Sequence, residues 1–271
     1  MKKYTQNQTY LNRKHALMNA HFLVLTGDGI NCERETAWAF EQAGGQASIC
    51  HVNDLLARPE QIHDYDGMAF PGGFSFGDDL GSGQVLAIKL RHQMNADLKK
   101  FIAKGSPIIG ICNGFQVLTK LGMLPDFNEK RQMALAPNIH GRFINRWVNL
   151  ERVENAICKW TTGLSKFELP VRHGEGRVVF SQDHEESIYQ ELLRNGQVAL
   201  RYTEDINGSY QRIAGVTDKT GTILGLMPHP EAYLYQETHP KLDNGREFLE
   251  SGAGLHIFKN IVQYCHSKED S

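Results

Sequence analysis

Several features that mark specialised classes are missing from this chain of 271 residues. No stretch has the length and apolarity of a membrane-spanning helix, so no membrane association is expected. Lys and Arg number 29 against 31 Asp and Glu, scattered rather than massed, and a formal net charge of -2 leaves no footprint for a polyanion. Nucleic acid is therefore not an expected partner. The five cysteines, Cys32, Cys50, Cys112, Cys158 and Cys265, are odd in number, widely spaced and without a C-x-x-C pair. That pattern excludes a zinc ribbon or a redox dithiol and predicts a reducing, cytoplasmic setting. His51, His63, His92 and His140 do not fall at ligand spacing, so no metal is expected, and Trp38, Trp147 and Trp160 read as packing residues. Neither G-x-x-x-x-G-K-[ST] nor G-x-G-x-x-G occurs, which argues against a nucleotide cofactor in this chain. Repeats and low-complexity linkers are absent too. Residues 1–20 are polar, with Lys2, Lys3, Arg13 and Lys14 but no apolar signal core. They are expected to form an N-terminal extension ahead of one domain at 21–271.

What is present is an alternation of short apolar strands and helices. Strands are predicted at His21 to Thr26, Ala47 to Val52, Gly67 to Phe70 and Pro107 to Ile111, with helices at Glu33 to Ala43, Ser82 to Lys104 and Gly114 to Leu121. Parallel neighbours need crossover connections, so this half predicts an α/β fold: an open, mostly parallel central sheet flanked by helices. Beyond it the texture changes. Arg142 to Val153, Lys166 to Val171, Gly176 to Phe180, Val198 to Tyr202, Ile213 to Thr217 and Thr222 to Met227 read as strands of an additional antiparallel portion, with one helix at Glu185 to Arg194. A final amphipathic helix, Gly254 to His266, turns Leu255, Phe258, Ile261 and Val262 to the core.

Three segments carry chemistry. In Pro107-Ile-Ile-Gly-Ile-Cys112-Asn-Gly-Phe-Gln116 an apolar strand runs into a cysteine, a glycine-relieved turn and a helix. That is the form of a nucleophile elbow, which lifts Cys112 out at the carboxyl edge of the sheet above a helix N-terminus that favours thiolate. A buried core cysteine ending a strand would read the same way. Met227-Pro-His-Pro-Glu231 offers the base and the group that orients it: in an extended segment His229 and Glu231 project to one side, stiffened by Pro228 and Pro230. Phe70-Pro-Gly-Gly-Phe-Ser-Phe-Gly-Asp-Asp79 follows another strand. The N–H of Gly73, with that of Asn113 after the cysteine, is placed to receive an oxyanion; a phosphate cradle or a plain turn is the alternative for Gly72-Gly73.

Pro71-Gly-Gly-Phe-Ser-Phe-Gly-Asp78, Gly110-Ile-Cys-Asn-Gly-Phe-Gln116, His173-Gly-Glu-Gly176 and Met227-Pro-His-Pro-Glu231, with Ile206-Asn-Gly-Ser209 as a weaker match, resemble stretches of class I, triad-type glutamine amidotransferases. In particular they resemble the glutaminase subunits of phosphoribosylformylglycinamidine synthase. The resemblance covers most of the chain after residue 20 and implies a flavodoxin-like amidotransferase fold. It implies Cys112 as nucleophile, His229 as base and then acid, Glu231 as its orienting group, and Gly73 and Asn113 as the oxyanion hole. It also implies Gln116, His173 and Gly174 around the substrate's amino-acid end, although His173 reads equally well as a strand-end histidine in a loop that touches a partner. The implied reaction frees ammonia from L-glutamine through a γ-glutamyl thioester and passes it to the large formylglycinamidine ribonucleotide synthetase subunit, with a small accessory subunit in the complex. ATP and Mg belong to that synthetase. The loop Gly27 to Glu35 and the aromatic segment Glu231 to Pro240 depart from the family pattern, which bears on partner contacts rather than chemistry. Two other readings compete: a cysteine hydrolase or peptidase on a related α/β fold, disfavoured by the His-x-Glu pair, and a non-catalytic docking subunit, disfavoured by the intact Cys112, His229 and Glu231. Cys32 falls close to the functional edge of the sheet and reads as a bystander.

Overall fold

The computed structural model describes residues 20–126, 132–241 and 251–269. Residues 1–19, most of the expected extension, and 242–250 lie outside the described residues. The apolar runs of the first half become β1 (His21–Thr26), β2 (Gln46–His51), β3 (Gly67–Phe70) and β4 (Ile108–Ile111). Between them stand α1 (Glu33–Gln42), the short α2 (Val52–Ala57) and α3 (Gln84–Ala103), and α4 (Asn113–Leu121) follows β4. The second half supplies β5 (Met133–Pro137), β6 (Ile144–Arg152), β7 (Lys166–His173), β8 (Glu175–Phe180), α5 (Glu185–Arg194), β9 (Val198–Tyr202), β10 (Ile213–Thr217), β11 (Ile223–Leu226) and α6 (Ala253–Glu269).

Nine strands form one mixed sheet in the order β2-β1-β3-β4-β11-β10-β9-β6-β7, and β5 pairs β8 in a separate antiparallel ribbon. Pairing is parallel from β2 through β11 and antiparallel from β11 through β7. The seam is β11, expected as part of the antiparallel portion; it runs parallel to β4 on one side and antiparallel to β10 on the other. Its chain end therefore opens on the same edge as those of β3 and β4.

Two helical layers cover the parallel strands. α1 packs with α6, and Phe40 lies against Phe22 and Phe258 at ring-centroid distances of 4.1 and 5.0 Å. Trp160 joins this aromatic cluster and satisfies its indole N–H on the Thr222 carbonyl at 2.8 Å. Each such ring, removed from water, contributes about 2–3 kcal/mol of transfer free energy. α3 packs with α4. Trp38 is not a core residue as expected: it is half exposed and donates to the Tyr235 hydroxyl at 2.9 Å. Leu255, Phe258, Ile261 and Val262 of α6 are all buried, as their spacing predicts. Among the described residues no helix is long and apolar enough to cross a membrane.

Candidate active site

Phe70, Ile111 and Leu226 end three adjacent parallel strands, and the chain leaves each at the carboxyl edge, where open α/β sheets place ligand sites. From β4 it enters Cys112 with φ 51° and ψ -105°, a conformation that costs a non-glycine residue about 1–3 kcal/mol. Surrounding contacts hold it there. The Cys112 N–H donates to the Leu226 carbonyl at 2.8 Å, and its own carbonyl accepts the Gln116 N–H at 3.2 Å, opening α4. Gly114 lets that helix approach β3, since a Cβ there would stand 1.8 Å from the Phe70 carbonyl oxygen, and one at Gly110 would meet Gly114 at 2.7 Å. Cys112 is buried, and its thiol donates to the Arg172 carbonyl at 3.6 Å.

After β11 the segment expected to be extended is a 3₁₀ turn at Pro230–Ala232. The turn, rather than strand alternation, folds Glu231 back so that its Oε1 lies 2.6 Å from His229 Nδ1. The His229 N–H anchors this arm to the Pro170 carbonyl of β7 at 2.9 Å. Both side chains are buried. Burial alone disfavours the imidazolium, but the Glu231 carboxylate and the nearby thiols of Cys112 and Cys32 outweigh it and raise His229 well above the ordinary histidine range. The ring rests on a residue without a side chain: a Cβ on Gly72 would stand 2.8 Å from His229 Cε1.

Gly73, at φ 145°, pairs with Ile30 in an isolated antiparallel bridge, and a Cβ there would meet the Gly29 oxygen at 2.5 Å. The flanking bonds, Phe74 N–H to the Gly29 carbonyl at 2.7 Å and Asn31 N–H to the Gly72 carbonyl at 3.2 Å, make this the non-hydrogen-bonded pair. The N–H of Gly73 is thereby directed away from Ile30.

The side chain of Asn113 fastens that loop. Its Oδ1 accepts the Ser75 N–H at 3.1 Å, and its Nδ2 donates to Asp78 Oδ1 at 3.2 Å and Gln116 Oε1 at 2.9 Å. Gln116 passes the linkage on, donating to the Glu175 carbonyl at 2.6 Å, so its amide lies in a chain of bonds joining loop, helix and β8. Ser82 closes the circuit from Asp78 to Glu175, and burial pushes the Asp78 carboxyl up. His173 is a strand-end histidine, as one reading has it, ending β7 with its side chain buried. Its Nδ1 meets Asn138 Oδ1 at 3.1 Å, and the same asparagine bonds the carbonyls of His173 and Gly174, each at 2.9 Å. Burial, then the neighbouring His229 and His140, lower His173 to about 4, so it is neutral at pH 7.

A model of the CobB/CobQ-like glutamine amidotransferase domain matches residues 19–265. The phosphoribosylformylglycinamidine synthase subunit PurQ of Methanococcus maripaludis strain S2 is 43% identical over 269 residues, covering 89% of this chain and 96% of that one. This chain belongs to the PurQ family. The PurQ subunit of Dehalococcoides mccartyi is 39% identical over 247 residues, covering 90% and 96%. In the solved structure of PurLQS from Thermotoga maritima one chain superposes with a TM-score of 0.70 at 33% identity, covering 90% of this chain and 98% of that one. The mixed sheet with its parallel core and antiparallel portion is thus the fold of the PurQ family.

The structure brings together Cys112, His229, Glu231 and Gly72-Gly73, and sets Asn113 and Gln116 in one network beside them. Sequence reasoning missed Asn138, which fastens His173 and Gly174. The Cys32 thiol stands beside His229, at the functional edge where the sequence placed it. The loop that carries it, bridged through Ile30 to Gly73, is held by long-range backbone bonds that no local pattern announces.

Proposed function

We propose that this PurQ-family chain hydrolyses L-glutamine through Cys112 and delivers the ammonia to a phosphoribosylformylglycinamidine synthase complex. The observation that carries the reading is the strained Cys112 elbow beside a buried His229–Glu231 pair at 2.6 Å, in a chain 43% identical to a PurQ subunit. His229 takes the thiol proton, and the thiolate attacks the amide carbon of glutamine. The N–H groups of Gly73 and Asn113 receive the oxyanion. His229 then protonates the departing nitrogen, which leaves as ammonia, and a γ-glutamyl thioester remains. Water, deprotonated by the same imidazole, cleaves the thioester to glutamate and restores the thiol. Glu231 keeps the proton-bearing Nδ1 fixed throughout. Gln116, His173 and Gly174 frame the amino-acid end of the substrate, Gln116 and Gly174 through the backbone they hold in place.

The acceptor of the ammonia is formylglycinamide ribonucleotide on an ATP- and Mg-using synthetase subunit, with a small accessory subunit completing the assembly. The PurLQS structure of Thermotoga maritima supports this partnership. Residues 21–271 act as one amidotransferase domain with 1–20 as an extension, in the cytoplasm, where five free cysteines stay reduced.

The test follows ¹⁵N from the amide of glutamine into the aminated ribonucleotide, with this chain, the synthetase and ATP. Label is expected with wild type and lost with Cys112→Ala, while ammonium restores product in the variant. Label transfer by Cys112→Ala would overturn the assignment of the nucleophile. Product from ammonium alone, with wild type inactive on glutamine, would leave a docking subunit.

A further inference from the structure

A second thiol stands where the proposed mechanism needs none. Cys32 Sγ, a ring nitrogen of His229 and a carboxylate oxygen of Glu231 all lie within 4.8 Å of one another, the one such group of metal-ligating side chains among the described residues. A tetrahedral zinc site, with bonds of about 2.0–2.3 Å, sets its ligand atoms roughly 3.3–3.6 Å apart, so closing this cluster around an ion takes shifts on the order of 1 Å.

Two further observations point to a cation there. His229 and Glu231 are almost fully buried, at 2% and 4% exposure, yet His229 Nε2 and Glu231 Oε2 have no well-aligned hydrogen-bond partner. Cys32 is only partly buried, giving the cluster a solvent-facing side, and Gly72 beside it adds no side chain to fill the space. The donor set of one thiolate, one imidazole and one carboxylate is borderline-soft, suited to Zn²⁺ rather than Mg²⁺ or Ca²⁺.

We propose that Cys32, His229 and Glu231 form an inhibitory site for Zn²⁺ or a cation of similar softness. The ion takes the place of the Cys32 thiol proton, which leaves to solvent, and the Nδ1 proton that Glu231 holds shifts to Nε2, freeing Nδ1 for an ion between the imidazole and the carboxylate. His229 is thereby held as a metal ligand and is withdrawn from proton transfer with Cys112. Cys32 is then a thiol that makes the site sensitive to free zinc, outside the hydrolytic cycle.

The binding half of this inference stands apart from glutamine hydrolysis and is tested on the full chain with cobalt(II) chloride. Cobalt bound to a thiolate gives a near-ultraviolet charge-transfer band, and zinc chloride should displace it. The band is expected in Cys112→Ala and Cys112→Ser, which lack the elbow thiol, and lost when Cys32→Ser is added to either. Removing an outer-shell partner of a metal ligand already costs about 10–100-fold in affinity, so loss of Cys32 itself should weaken cobalt binding at least about tenfold. In the glutaminase assay, half-inhibition by zinc chloride should move to higher zinc by a similar factor in Cys32→Ser. A band that disappears with Cys112→Ala and Cys112→Ser but survives Cys32→Ser would overturn the proposal in favour of metal at the elbow. Equal zinc inhibition of wild type and Cys32→Ser would overturn it as well.

Discussion

β3, β4 and β11 bury every residue along their length, whereas β6 buries only Val148 and Leu150 of its nine. The first three are parallel strands covered on both faces, and nothing on their flanks is open to a ligand. All their chemistry is delivered at their ends, where backbone geometry decides it: the positive φ of Cys112, the turn at Pro230, the bare carbons of Gly72 and Gly114. The antiparallel strands lend the site little of their side chains apart from His173 and Glu175. They contribute carbonyls, Arg172 to the Cys112 thiol and Pro170 to the His229 N–H. The difference teaches that one half of the sheet presents Cys112, His229 and Glu231 and the other half fixes where they stand.

That division can be broken most severely at Gly114. A methyl group there would overlap the Phe70 carbonyl, and backbone cannot yield as a side chain does. Gly114→Ala should cost about 4 kcal/mol or more, read as a lowered denaturant midpoint or as loss of folded protein. A change of under 1 kcal/mol would show that α4 is free to slide.

His173 offers the counterpart from the antiparallel half. Its value is depressed to about 4 in the folded state against 6.5 for the ordinary side chain. The unfolded chain therefore takes up the proton first as pH falls, so the stability His173 contributes is fully present above pH 6.5 and is lost towards pH 4. The span corresponds to about 3 kcal/mol. Urea unfolding between pH 7 and 4 should show that slope in wild type and a shallower one in His173→Gln; identical slopes would place the acid sensitivity elsewhere.

Asn113→Ala separates position from chemistry. It keeps the backbone N–H assigned to the oxyanion and removes the bonds to Ser75, Asp78 and Gln116 that fasten the Gly73 loop. A fall in kcat of roughly 10–100-fold with a smaller change in KM is expected, since misplacement by about 1 Å can cost that much. Unchanged kcat would mean the loop is held without it. The smallest effect belongs to Arg146→Ala, which breaks an exposed pair with Glu204 at 3.5 Å. It should alter stability by less than about 1 kcal/mol in thermal unfolding. A larger loss would make the open face of β6 more than a solvated surface.

The same contrast governs what could be read before any coordinates. Gly67–Phe70, Val198–Tyr202 and Ile213–Thr217 are strands at their predicted bounds, because short β-rich runs between glycine or polar punctuation leave few alternatives. Val52–Ala57 was legible only as a strand end: no glycine separates it from β2, and its start is marked by His51, whose ring accepts the Asn53 N–H. Met133–Pro137 is too short and too rich in alanine to signal a strand by itself, and it forms because β8 supplies its partner. Within the site, Cys112, His229 and Glu231 stood out by motif. The turn that joins the last two did not, because a segment stiffened by proline on either side of His229 reads as extended; nor did the Asn138 staple, which rests on contacts between segments remote in the chain.

Gly72 has a consequence for how such sequences are compared. Its α-carbon faces the His229 ring so closely that a methyl group would act as a wedge, pushing the imidazole off a seat already fixed by Glu231 and Pro170. A descendant could keep every reacting side chain and fall silent through one added carbon. Searches that score only the groups that react would count it as intact; the vacant position is as much a signature of a working enzyme as the residues around it.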